Sequence, residues 1–190
     1  MSYLRAFIPW IAFAVIPSSQ WQWAALFAVA LSVLGIARQT RSGLPLDAQI
    51  IEMGSGVYFV ALAALAFADP HTGLHSYTAA LASGALFLIS GLSLLLRKPF
   101  TLGVAKQTIS REFWDDPRFY RVNVVITAAW TAAFAVSGVG LVLLAHSSAM
   151  DRSVVQVAGF VVPMAFTARY TARVRARARA AEAQQPIPVA

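Results

Sequence analysis

The chain has 190 residues, of which 58% are hydrophobic and only 12% charged, and its formal net charge is +7. About a quarter of the residues of a soluble domain are charged, so this apolar excess excludes an ordinary water-soluble globule and makes a bilayer the natural solvent. The absence of cysteine excludes disulfides and thiolate chemistry.

Six apolar spans follow one another. The first, about 3–17, is short and carries Pro9, so it is expected to be tilted, kinked or partly inserted. It is also expected to be retained, because no small-x-small cleavage site precedes Gln20. The second, about 21–37, opens on the interfacial indoles Trp21 and Trp23 and ends at Arg38 and Arg41. The third, about 49–68, opens with Glu52 and Gly54-Ser55-Gly56, and the fourth, about 77–96, holds Ser83, Gly84, Ser90 and Gly91.

Between the fourth and fifth spans lies a basic, aromatic segment. Thr101 is placed to cap a short helix whose apolar side is Leu102, Ala105, Ile109 and Phe113, lying flat at the membrane surface beside Trp114, Phe119 and Tyr120. Asp116-Pro117 then predicts a helix start, with an acidic cap and proline at the first position. The fifth span runs to about 145, and the sixth, about 153–169, carries Pro163, which removes the helical partner of the Gly159 carbonyl. The expected fold is all-α, a polytopic bundle of about six transmembrane helices over 1–169 with an interfacial cytosolic helix between helices 4 and 5. A basic cytosolic tail occupies 170–190.

Orientation follows from lysine and arginine. On this arrangement 14 of the 15 basic residues share one face and Arg152 lies on the other, which predicts six crossings with both termini cytosolic. Arg97, Lys98, Trp114 and Arg118, with Arg173, Arg175, Arg177 and Arg179 of the tail, are candidates for contact with anionic headgroups. This distribution favours a lipid partner over nucleic acid.

Asn123, Thr127, Trp130, Phe134, Ser137 and Leu141 recur at spacings of four and three and share one face of the fifth span. That stripe is either interhelical glue, with Asn123 and Thr127 bonding to the third or fourth span, or the wall of a polar cavity. Glu52 is an intramembrane acid near the cytosolic end. It either pairs with Arg97, Lys98 or Arg121, or binds a proton or cation, or is solvated. His71, His75 and His146, with Asp69 and Asp151, read as solvated loop residues. No metal ligand set, phosphate loop or catalytic triad stands out, so neither cofactor nor catalysis is expected.

The order of a basic-Pro-Phe stretch, an interfacial helix, an aromatic-flanked segment and an Asn-initiated, Trp- and Phe-bearing helix resembles the intracellular septation protein A family. Lys98-Pro99, Trp114, Arg121, Asn123, Trp130 and Phe134 are the positions that carry the likeness. The resemblance implies a bacterial inner-membrane protein associated with envelope or division machinery, without established catalysis. Of three functional classes, a membrane enzyme is the least favoured, since no recognisable nucleophile or metal cluster is present, and two lead. One is a scaffold or accessory subunit whose small residues (Gly84, Gly91, Ser137, Gly138, Gly140) pack against a partner or a second copy. The other is a small transporter or channel with a polar path near Glu52, Asn123 and Thr127.

Overall fold

The structure, a computed structural model, describes residues 6–183, and among these there is helix and no strand. Seven helices follow in order: α1 (Ile8–Val15), α2 (Trp21–Arg41), α3 (Ile50–Ala68), α4 (Thr78–Leu95), α5 (Phe100–Lys106), α6 (Pro117–Leu143) and α7 (Ala149–Ala183). Single 3-10 turns at Ser18–Gln20 and Gly73–Tyr77 lead into α2 and α4, and with them α2, α3, α4 and α6 are long and apolar enough to cross a membrane.

Side-chain placement agrees with a lipid surround. Val33, Val57, Leu88, Leu92, Val136 and Val139 are exposed on the outer faces, whereas Ser32, Ser55, Ser90, Asn123, Thr127 and Thr167 are buried between helices. Water would favour the reverse arrangement. In lipid, small and hydroxylated residues let helices approach and bond to one another.

Successive long helices are antiparallel. Gln39 meets Glu52 across α2 and α3, Tyr77 meets His146 beyond α4 and α6, and Ser137 faces Gly159 across α6 and α7. The end of α2, the connection between α4 and α6, and the end of α7 therefore lie at one end of the bundle. They bring every described lysine and arginine except Arg152 there, and Arg152 donates to the Ala145 carbonyl at the far end (3.2 Å).

Two helix ends use the same device. At the end of α2, Gly43 takes a left-handed conformation (φ 79°) and the Leu44 N–H reaches the Gln39 carbonyl (3.1 Å). At the end of α4 Arg97 does the same (φ 56°), with the Lys98 N–H on the Ser93 carbonyl (2.8 Å). A proline follows each, Pro45 and Pro99, and stops the helix. At the start of α6 the Asp116 carboxylate accepts from the Arg118 N–H (2.7 Å), with Pro117 at the first helical position as its sequence predicts.

The first helix is only eight residues, about 12 Å at 1.5 Å per residue, against a hydrocarbon core of about 30 Å. Phe7 stacks on Trp130, halfway along α6 (centroids 5.0 Å), while Ser18 lies at the opposite end from the basic residues, its carbonyl 2.9 Å from His75 Nε2. The described part of α1 thus lies in the half of the bundle away from the basic end. Trp10 fastens it there, donating to Ser55 Oγ on α3 (2.8 Å).

The expected interfacial helix is corrected in detail. Helix α5 ends at Lys106 and buries Phe100, Thr101, Gly103 and Val104, while Leu102 and Ala105 are half-buried and Phe113 lies outside it and exposed. Pro99, not Thr101, stands at its N-cap. A Cβ at Gly103 would collide with the Ala48 carbonyl, so α5 sits directly on the connection between α2 and α3. Periodicity of apolar residues misses this face because a hydroxyl and a glycine make it: one bonds to α6 and the other permits close approach.

Candidate ligand cavity at the basic end

The described residues enclose a cavity of about 940 Å³ at the basic end. Ala6, Ile8 and Pro9 close its inner end, and Leu31, Leu34, Gly35, Arg38 and Gln39 of α2 form one wall. Glu52 of α3 faces it, and the segment that ends α5 and follows it contributes Lys106, Gln107, Ile109, Arg111 and Trp114. Exposed Arg38, Ser42, Ser110 and Arg111 mark its mouth.

A chain of hydrogen bonds crosses this wall. Gln107 Nε2 donates to Gln39 Oε1 (3.3 Å), and Gln39 Nε2 donates to Glu52 Oε1 (2.7 Å). Glu52 is 6% exposed, and its second oxygen, Oε2, has no hydrogen-bond partner among the described residues. Nearer the mouth, Trp114 donates its indole N–H to the Ile109 carbonyl (3.1 Å). Lys106 Nζ lies 4.8 Å and the Arg111 guanidinium 5.5 Å from its ring centroid. Trp114 is therefore tied into the cavity wall.

The wall is held by the turn behind it. Gln49, buried at the start of α3, donates to the Leu44 carbonyl (2.9 Å) and the Thr40 hydroxyl (3.2 Å). The connection is thereby fixed, and with it the register that sets Gln39 against Glu52.

The expected ion pair is corrected. The hydrogen-bond partner of Glu52 is the neutral amide of Gln39, and Arg97, Lys98 and Arg121 all lie on exposed surface. The cause is rotational, since α3 turns this position toward α2. Gln39 went unrecognised in the sequence, although a signal exists: Gln39 and Glu52 are equidistant from the Pro45-Leu46 turn, and a two-helix hairpin folded there brings them together.

Asn123, Thr127 and Trp130 do share one buried face of α6, as their spacing predicts. Their partners are not the third and fourth spans. Thr101 Oγ1 donates to the Asn123 carbonyl (2.9 Å) and lies 2.8 Å from Thr127 Oγ1, while Trp130 Nε1 donates to Thr167 Oγ1 of α7 (3.0 Å). The Asn123 amide turns back to the Phe119 carbonyl (2.9 Å). This stripe is interhelical glue to α5 and α7, and it does not line the cavity that Glu52 lines.

The small-residue faces are likewise turned inward. Gly138 lies against Ser83, Gly91 against Thr131, Gly140 against Val155 and Gly159 against Ser137. Gly84 alone of the expected set has open space where a Cβ would be. Among the loop histidines, His71 is exposed, His75 is held by Ser18 and lies 5.2 Å from the Trp21 ring, and His146 is 3.3 Å from the Tyr77 hydroxyl. No three His, Asp or Glu side chains converge among the described residues.

Architecture and site together define the class: an all-helical bundle, with four helices fit to cross a membrane and a polar cavity at its basic end. Comparison with protein-family models, with curated proteins and with solved structures finds no match.

Proposed function

We propose that this is a multi-pass protein of a bacterial inner membrane that binds a positively charged solute in the Glu52 cavity and moves or presents it without catalysing a reaction. One observation supports this above the others. A carboxylate that is 6% exposed faces a cavity of about 940 Å³ with one oxygen held by a neutral amide and the other unpartnered among the described residues. Taking such a group out of water costs several kcal/mol unless a partner completes it. A ligand cation is that partner. Ala6, Ile8 and Pro9 close the cavity's inner end, so transport requires a second state in which α1 shifts.

The positive-inside rule orients the basic end toward the cytosol. In the six-span arrangement α1 is the partial first span, and α7 returns the tail arginines to the cytosolic side. Reporter fusions after Ser110 and after Arg179 should report the same compartment; opposite compartments would overturn the topology. For the site, the full-length protein in nanodiscs should bind ethylamine, and Glu52→Gln should abolish that binding while the melting temperature holds. Unchanged binding would refute the role of Glu52.

An accessory role in an envelope complex, which the septation-family resemblance implies, is the second reading. The open flank of α4 around Gly84, with Leu81 and Leu88 exposed beside it, supports it. Gly84→Leu should then release a co-purifying partner, and an intact complex would count against it.

A further inference from the structure

We infer that the cavity takes a zwitterion, a ligand with an ammonium at one end and a phosphate-like anion at the other, inserted amine first. This rests on the cation-binding reading above and adds the second half of the ligand. The charges of the cavity are ordered. Glu52 is buried in its wall, with Oε2 unpartnered among the described residues. Two amide side chains, Gln39 and Gln107, separate that carboxylate from the cationic rim by successive hydrogen bonds.

The rim holds the second observation. Lys106 and Arg111 are both drawn onto the ring of Trp114, at 4.8 and 5.5 Å from its centroid. Two like charges gathered around one aromatic ring repel each other, and the ring's attraction offsets this only in part. An anion seated beside the ring relieves that repulsion and accepts hydrogen bonds from both. A simple cation gains nothing from this rim and is repelled as it enters, and a simple anion finds a carboxylate beyond the rim. A molecule carrying both charges, spaced by the length of the amide chain, meets a complementary group at each end. The phosphoethanolamine unit has this chemistry, and it occurs both free in water and as the headgroup of an aminophospholipid. The apolar wall of Ile8, Leu31 and Leu34 leaves room for an acyl chain in the second case.

The test uses the full-length protein in phosphatidylcholine nanodiscs, with calorimetric titration of O-phosphoethanolamine, ethylamine and methyl phosphate. O-phosphoethanolamine should bind at least ten-fold more tightly than either fragment. Glu52→Gln should reduce its affinity at least ten-fold. A Lys106→Gln/Arg111→Gln variant should weaken O-phosphoethanolamine at least ten-fold yet strengthen ethylamine, because the repulsion at the mouth is gone. The charge-preserving Lys106→Arg/Arg111→Lys variant should retain binding, which separates loss of charge from loss of fold. Repeating the titration in nanodiscs containing phosphatidylethanolamine distinguishes the sources: competition identifies the lipid headgroup, and no competition identifies the soluble zwitterion. If ethylamine binds at Glu52 but O-phosphoethanolamine binds no tighter, the zwitterion inference falls and the cation site stands. If no amine binds, both fall.

Discussion

Trp130 donates its indole N–H to the Thr167 hydroxyl at 3.0 Å, and that hydroxyl donates in turn to the Pro163 carbonyl at 2.7 Å. The relay joins the centre of α6 to the proline turn of α7, where an interior proline disrupts the backbone ladder and some other group must stabilise the helix. Trp130→Phe keeps the stacking on Phe7 and removes the bond, so it should cost about 1 kcal/mol, the scale of an interhelical hydrogen bond in a membrane protein. Thr167→Val should cost more, because it also removes the donor to Pro163. The double variant should cost less than the sum, since the two residues share one interaction. Thermal unfolding in a mild detergent measures all three.

Thr101 should behave as a structural pin. Its hydroxyl serves both the Asn123 carbonyl and Thr127, 22 and 26 residues away. Thr101→Val is expected to lower stability by about 1 kcal/mol and to raise proteolysis within residues 97–116, where α5 is held down. Limited proteolysis followed by mass spectrometry reads this directly, and an unchanged pattern would mean that α5 is held by its apolar contacts alone.

The two glycines Gly103 and Gly84 should respond in opposite ways to alanine. At Gly103 the new methyl group meets the Ala48 backbone, which cannot rotate aside, so Gly103→Ala should cost about 3 kcal/mol or prevent assembly. At Gly84 no atom lies within 4 Å, and the gain in helix propensity should leave Gly84→Ala neutral or stabilised by up to about 1 kcal/mol. Melting temperatures of the purified variants check the contrast.

Arg97 occupies a conformation suited to glycine. Its φ of 56° costs a side-chain-bearing residue about 1 kcal/mol, so Arg97→Gly should stabilise the fold by roughly that amount. Gly43→Ala, at φ 79° in the matching turn of α2, should destabilise it by a similar amount. Both are read by thermal unfolding. A destabilising Arg97→Gly would mean that the Arg97 side chain contributes more than its backbone strain removes.

Much of the architecture was legible in local pattern. Long apolar runs, the Asp116-Pro117 start of α6 and the four-and-three spacing of Asn123, Thr127 and Trp130 each depend on residues close in the chain, and each reappears in the structure. The face of α5 was not legible. Hydropathy counts apolar surface, whereas Thr101 and Gly103 are buried for a hydrogen bond and for the absence of a Cβ. Pro9 marked the first span as irregular, but the depth at which α1 sits depends on Phe7 reaching Trp130.

By itself the amino-acid order determined that lipid-like surroundings suit this chain, that it is helical, and that its positive charge collects between and after particular helices. Those properties are sums over neighbouring residues. Only the tertiary structure decided that Glu52 meets Gln39, that the polar stripe of α6 is sealed by α5 and α7, and that a cavity lies between α1 and the basic end. Each of these depends on how helices rotate and slide against one another, and those freedoms are settled by contacts between residues far apart in the chain.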